Sequence, residues 1–312
     1  MIKYFDFERD IQKIDDLLDS LDKFNSDNSS KINQLQLERT HKLKSLYSRL
    51  EPWQKVQVSR HNDRPHSIDY INNIFGNIIY LHGDKKFADD SAIIGGFAKI
   101  ETQSIIFIGT EKGNTMDTRL KHNFGMAKPE GYRKSQRLIA LAEKFNLPVV
   151  TLVDTAGAFP GKDAEERGQS ESIASSILSF LRVMTPTLSV IIGEGGSGGA
   201  IGIATSDKVL MLEHSTYSVI SPEGCASILW RSTNFSQEAA NTLKLTSEDC
   251  KKFEIIDDII PEIPGGAHRN HLEQSKIVKK YLLDNIEKLK SFPIEDLIKR
   301  RKKKYLNITS DI

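Results

Sequence analysis

Residues 193–200 read GEGGSGGA, and five of these eight are glycine. An apolar run, LSVII at 188–192, precedes them and has the character of a fully buried strand. The small and apolar residues 200–204 that follow can begin a helix. Glycine permits φ > 0 and lets another group approach the main chain closely. A glycine turn between strand and helix leaves backbone N–H groups without intrahelical partners. Such donors can bind an anion, or an oxyanion forming in a transition state. A tight turn serving only close packing is the plainer reading, but five glycines in eight residues favour the oxyanion role.

Two nucleotide-binding readings fail on the same stretch. GEGGSG formally fits G-x-G-x-x-G, and Glu213 ends the next apolar run, 209–212, where a ribose-binding acid would stand. The helix between the glycines and Lys208 has room for only about two turns, far short of a ~30-residue βαβ unit. No Lys-Ser or Lys-Thr follows the glycines, so this is not a Walker A loop, and Glu194 would repel a phosphate.

The 312 residues suffice for one large α/β domain with appendages. Hydrophobic content of 38%, charged content of 27% and a net charge of +1 give no global field for nucleic acid. Cys225 and Cys250 have neither CxxC nor zinc spacing. The N-terminal MIKYFDFERD lacks an apolar signal core, and no apolar run approaches the ~20 residues of a membrane span. These features point to a reducing, cytoplasmic compartment and exclude a membrane role.

Read in order, residues 8–24 carry Ile11, Ile14, Leu17, Leu18 and Leu21 at helical spacing. A polar break at 25–31 separates them from a second amphipathic stretch with Leu35, Leu43, Leu46 and Leu50. Residues 1–50 are therefore expected to form a helical hairpin, 51–290 the main domain and 291–312 a basic tail. Residues 52–65 read as irregular and 68–82 as helical or mixed. A strand pair is expected at 93–100 and 104–109. The long loop 110–131 bears Lys112, Arg119, Lys121, His122 and Lys128, suited to a phosphorylated substrate. A helix at 131–146 and a strand at 148–153 lead into a second glycine turn, DTAGAFPG at 154–161, at a strand's carboxyl end, where open α/β folds bind ligands. Asp163 is expected to N-cap the next helix with Glu166 as its capping-box partner, and Pro186 to close that helix. After the central glycines come strands at 208–212 and 216–220, a turn into a helix at 221–228, a helix at 236–253 and a strand at 255–261. A long helix at 271–290 precedes KRRKKK at 299–304, read as a solvated helix end, with an acidic partner or nucleic acid as the other reading. No G-x-S-x-G elbow, HExxH or metal cluster is present, so backbone amides would carry the electrostatics and a cofactor would supply the base.

Eight stretches carry a resemblance. They are RPHSIDYI (64–71), FADDSAIIGG (87–96), NFGMAKPEGYRK (123–134), DTAGAFPG (154–161), AEERGQSESIA (164–174), IIGEGGSGGA (191–200), STYSVISPEGCASILW (215–230) and IIPEIPGGAHRN (259–270). Almost continuously from about residue 50 to 271, the chain resembles the alpha subunits of bacterial acetyl-CoA carboxylase carboxyltransferase. The resemblance implies an α/β fold of the ClpP/crotonase type. That fold is a spiral of β-β-α units, here with an N-terminal helical extension and a C-terminal helical segment. It further implies an α2β2 assembly with a beta subunit that alone carries zinc, on a zinc ribbon. The reaction would move a carboxyl group from carboxybiotin, held on a biotin carboxyl carrier protein that biotin carboxylase charges, to acetyl-CoA, giving malonyl-CoA for fatty-acid synthesis. No cofactor would be bound covalently here, and no metal.

By the same resemblance the central glycine turn faces biotin, which assigns oxyanion stabilisation to Gly195, Gly196, Gly198 and Gly199 as a group. Gly157, Ala158 and Phe159 would line the substrate. Lys121, Lys128 and Arg133 would hold the negatively charged CoA or the partner. The sequence departs from the family's usual pattern at Ala156 and Phe159, where Pro and Tyr are frequent, and at Thr110, where His is frequent. Residues 114–117 (NTMD) are also unusual. The rival enzyme reading is a crotonase-fold hydratase or isomerase using Glu194 or Glu223 as its carboxylate. The non-enzymatic rival is an assembly module built on the hairpin and tail.

Overall fold

The computed structural model describes residues 3–21 and 28–308. The expected helical residues 22–24, part of the polar break and the last four residues of the chain lie outside that range.

One mixed sheet organises the chain. Its strands are β1 (Gly76–Tyr80), β2 (Ile93–Ile100), β3 (Gln103–Thr110), β4 (Val149–Thr155), β5 (Thr187–Gly196), β6 (Lys208–Leu212), β7 (Thr216–Ser218) and β8 (Asp258–Ile260). The spatial order is β1-β2-β3-β4-β5-β6-β8, with β7 also on β5. β1 to β3 pair antiparallel, and every later pairing is parallel. Central strands buried on both faces read as near-continuous apolar runs, and every residue of β4 is buried. Val149 and Val153 face one side with Ile106, Leu138, Phe180, Ile191 and Ile203. Val150 and Leu152 face the other with Tyr70, Ile71, Leu188, Val278 and Leu282. Helices therefore cover both faces, Pro129–Phe145 and Gln169–Arg182 on the first, Ser67–Ile74 and His271–Lys290 on the second.

β5 is the long strand and it changes neighbour. Leu188 to Ile191 pair with β6, whereas Glu194 to Gly196 pair with β7. The sheet forks there, and the glycines sit at the fork.

Several local expectations need correction. Residues 52–65 are not irregular throughout: Pro52–Ser59 is a helix with proline in its first turn, where a missing N–H costs nothing. The 110–131 loop contains the helix Met116–Lys121, capped by Thr115. Gly161, not Asp163, is the N-cap of Lys162–Glu166, and Asp163 turns instead to Lys128 and Arg167. The helix expected to run to Pro186 ends at Arg182. Residues 236–253 split into Ser236–Leu243 and Ser247–Lys252, because Lys244 takes a left-handed conformation with φ 51°.

The basic tail is the largest departure. Ile294–Asn307 is a helix, and Arg301 on it is fully buried rather than solvated. Its Nε and Nη2 each donate to Asp207 at 2.7 Å, and its remaining donors meet the carbonyls of Phe180, Val183 and Thr185. Helical spacing puts Leu297, Arg301 and Lys304 on one inward face, and Lys304 pairs with Asp257 at 2.5 Å. At the other end, Arg9–Ser20 packs on Ser29–Tyr47 around Ile11, Leu43 and Tyr47. Buried Glu8 accepts from Tyr47 at 2.8 Å and from Arg269 at 2.6 Å, fastening this pair of helices to the main body.

Candidate active site

The glycine stretch is not a loop. β5 runs through Gly196 and the helix Ser197–Ala204 starts at the next residue. The pivot is Ser197, whose φ of 50° turns strand into helix, and none of the five glycines takes a positive φ. They are needed for close approach instead. A Cβ on Gly196 would stand 2.2 Å from the Ala156 carbonyl oxygen, and one on Gly199 would stand 2.5 Å from the carbonyl carbon of Gly157. The junction is thus pressed against the second glycine turn, Gly196 on Ala156 and Gly199 on Gly157 and Ala158, while Gly195 lies against Tyr217. Gly198 differs: its Cβ would meet only Ile173, at 3.7 Å. Gly196, Ser197 and Gly198 are partly exposed. The first amides of a helix have no intrahelical partner, so this surface offers N–H donors to an approaching anion.

Charged groups surround the residue before the glycines. The Glu194 carboxylate accepts from Arg60 Nε at 2.7 Å and from Lys112 Nζ at 2.7 Å. Lys112 also reaches Asp154 at 2.7 Å, and Asp154 accepts the Glu194 N–H at 2.9 Å. Thr110 fixes that aspartate from behind, its hydroxyl accepting the Asp154 N–H at 2.5 Å. Arg60 continues to Glu223, Nη1 to Oε1 at 2.5 Å. Arg64 Nε donates to the Ile192 carbonyl at 2.8 Å, and its two Nη groups donate to Glu262 at 3.0 and 2.6 Å. Burial alone would raise the Glu194 carboxyl, but Lys112 and Arg60 outweigh it and hold the group down to about 2. Arg60, Lys112, Asp154, Ala156 and Glu194 line a cleft of about 280 Å³ beside the junction.

This geometry bears on the hydratase reading. A general base has to be free to take a proton near the working pH. Glu194 is ionised and bound to two cations, and Glu223 is committed to the same Arg60, so neither is poised as one.

The other expected binding residues divide. Lys128 and Phe159 meet, the ammonium 4.7 Å from the ring centroid, while the Phe159 N–H donates to Ala127 O at 3.0 Å. Lys121 is exposed at the end of its short helix. Arg133 is not available to CoA. Its guanidinium donates to Asp84 at 2.7 Å, to Glu130 at 3.0 Å and to the Arg167 carbonyl at 3.2 Å, and its side chain is nearly enclosed. The sequence reading missed Arg60, held Arg64 and Glu262 inside quoted stretches without giving them a role, and named Lys112 only as one of several loop cations. Among the described residues, no group of three or more His, Cys, Asp or Glu is arranged to hold a metal ion.

Residues 4–309 match the family described as acetyl co-enzyme A carboxylase carboxyltransferase-like. The acetyl-coenzyme A carboxylase carboxyl transferase subunit alpha of Zymomonas mobilis is 49% identical over 311 residues, 99% of each chain. The protein of the same name from Rhodospirillum centenum is 49% identical over 309 residues, 98% of each. Among solved structures, a Pseudomonas malonate decarboxylase hetero-tetramer in complex with coenzyme A superposes with a TM-score of 0.58 at 11% identity, over 75% of this chain and 91% of its own. The beta subunit of P. aeruginosa geranyl-CoA carboxylase gives 0.57 at 16%, over 78% of this chain but only 46% of that one. At such identities the two structures establish the fold, which is the crotonase type, as expected.

Proposed function

This chain belongs to the acetyl co-enzyme A carboxylase carboxyltransferase-like family, and we propose that it forms the alpha half of a two-subunit enzyme converting acetyl-CoA to malonyl-CoA. Carboxybiotin, presented by a carrier protein, supplies the carboxyl group and, once that group has left, a ureido nitrogen able to take the methyl proton of acetyl-CoA. The role of this chain is electrostatic. Amides of the junction, drawn from Gly195, Gly196, Gly198 and Gly199, hold negative charge that grows as the carboxyl group departs. The turn Gly157, Ala158 and Phe159 forms the adjoining wall. Lys121 and Lys128 face the anionic part of CoA or the partner, whereas Arg133 belongs to the fold. The thioester is held by the beta subunit, which we also assign the zinc. No described helix is long and apolar enough to cross a membrane, and we place the reaction in the cytoplasm.

One observation carries this reading. Backbone donors at a strand-to-helix junction lie open beside a cleft whose carboxylates are already neutralised by Arg60 and Lys112. A site of that kind suits charge stabilisation, and neither Glu194 nor Glu223 is free to serve as its base. The test is to combine the purified chain with a cognate beta subunit and measure malonyl-CoA-dependent carboxylation of free biotin. Transfer is expected from the pair and from neither chain alone. Full turnover by this chain alone, or biotin-independent hydration of an enoyl-CoA, would overturn the reading.

A further inference from the structure

We propose that Arg60 is a positioning residue for carboxyl transfer, holding the glycine junction through Glu194 while bracing against Glu223. The proposal rests on the assignment of the junction to oxyanion stabilisation. Arg60 is the C-cap of the helix Pro52–Ser59, and its guanidinium ties two distant segments together: Glu194, the residue before the paired glycines, and Glu223, in the first turn of the helix Pro222–Trp230.

The Glu194 side chain closes a ring. One oxygen takes Arg60; the other takes Lys112, which reaches Asp154, which in turn accepts the Glu194 N–H. Main chain and side chain of one residue are thus both fixed, and Arg64 grips the carbonyl two residues earlier. Burying a carboxylate costs free energy unless it is paired, and an apolar residue would fill the space more cheaply. What the ion cluster adds is a defined position for the next amides along the chain. Those amides act on charge that develops in the transition state, so misplacing them should lower kcat and leave KM nearly unchanged. The rival role is direct contact with bound substrate, since Arg60 also lines the cleft and its side chain is 31% exposed. That role predicts a raised KM instead.

The experiment uses the complex with a cognate beta subunit. Arg60→Gln is expected to lower kcat for biotin carboxylation about 10²-fold, the scale of a misplaced catalytic group, with KM for malonyl-CoA within a few-fold of wild type. Glu194→Gln in the Arg60→Gln background should cost little more, because the two residues act as a unit. Arg60→Ala should regain turnover with added guanidinium, at concentrations far below those that unfold proteins, because the site is open enough to admit it. Amide hydrogen exchange over residues 193–200 reads the positioning without activity: it should speed up in Arg60→Gln there and not in β4. Wild-type kcat in a normally assembled Arg60→Gln complex, a KM effect alone, or unchanged exchange at the junction would each overturn the proposal. Faster exchange in the variant, together with a wild-type complex unable to carboxylate biotin, would uphold the positioning role and sink the functional reading.

Discussion

Arg301 and Arg60 both meet carboxylates inside this molecule, and they are used in opposite ways. Arg301 is 1% exposed, binds both oxygens of Asp207 and spends its remaining donors on three carbonyls at and just past the C-terminal end of the helix Gln169–Arg182. Arg60 is part exposed and divides its guanidinium between carboxylates on two separate segments. A fully enclosed, fully hydrogen-bonded arginine fixes one arrangement of its neighbours. One at the rim of a cleft, shared between two acids, is the residue we propose positions the glycine junction. The contrast separates charge that serves the fold from charge that serves the site.

The largest effect should come from the first kind. Arg301→Met leaves Asp207 buried without its counter-charge and three carbonyls short of a donor, and is expected to destabilise the protein by about 3–5 kcal/mol. Denaturant unfolding measures this. Activity per folded, assembled complex should stay near wild type, and a loss of kcat matching that of an Arg60 variant would erase the distinction.

Next comes the junction, where neighbouring glycines are expected to part company. Gly196→Ala drives a methyl into the Ala156 carbonyl and should damage folding. Gly198→Val places its Cβ in ordinary van der Waals contact with Ile173 and against no backbone atom, so the variant should fold and assemble. The branched side chain would crowd the surface where biotin must reach the backbone, so if the amides there stabilise an oxyanion, kcat should still fall about 10²–10³-fold, the scale of one lost donor. Equal thermal midpoints for wild type and Gly198→Val, with near wild-type transfer, would make the junction purely structural.

The sheet was legible because buried parallel strands write themselves as apolar runs, PVVTLV and LSVII among them, and the long helix expected at 271–290 is found as His271–Lys290. The charged half of the site was not. Arg60 and Arg64 sit in a polar stretch flanked by prolines, and their carboxylate partners lie 134 and 198 positions away. Pairing over such separations leaves no local pattern. The glycines were readable as a strand-to-helix connection. Sequence left two reasons for them open, positive φ and close approach, and the structure uses the second, against residues 156–158. Arg301 did leave a trace, since it follows Leu297 by one helical turn, but the surrounding KRRKKK hid it.

A smaller effect is expected from acid. Arg64 and Glu262 form an enclosed pair like Arg301 and Asp207. Burial would raise the Glu262 carboxyl, yet the Arg64 charge, then His214 and hydrogen bonds, lower it from the usual 4.5 to about 2. A carboxyl depressed in the folded state contributes stability above its unfolded pKa and loses it as pH falls through the folded one. The contribution, roughly 3 kcal/mol, should therefore be complete above about pH 5 and vanish toward pH 2. Urea unfolding of wild type and Glu262→Gln should show a difference that shrinks across this window. A difference independent of pH would mean that the pair's charge adds nothing.

The smallest effect should come from the residues beside Arg301. Lys302 and Lys303 share its basic run and lie one and two positions further along the same helix, but both are exposed. A helix turns about 100° per residue, so neighbours of a buried side chain point to other faces. Exposed lysines gain little from nearby acids and are screened by salt. The double variant Lys302→Gln, Lys303→Gln should thus shift stability by no more than about 0.5 kcal/mol, with assembly and transfer unchanged at physiological ionic strength. If the variant instead weakens assembly with the beta subunit, and added salt does the same to wild type, the run acts as a charged surface. Burial of Arg301 alone would then no longer divide structural from functional charge in this helix.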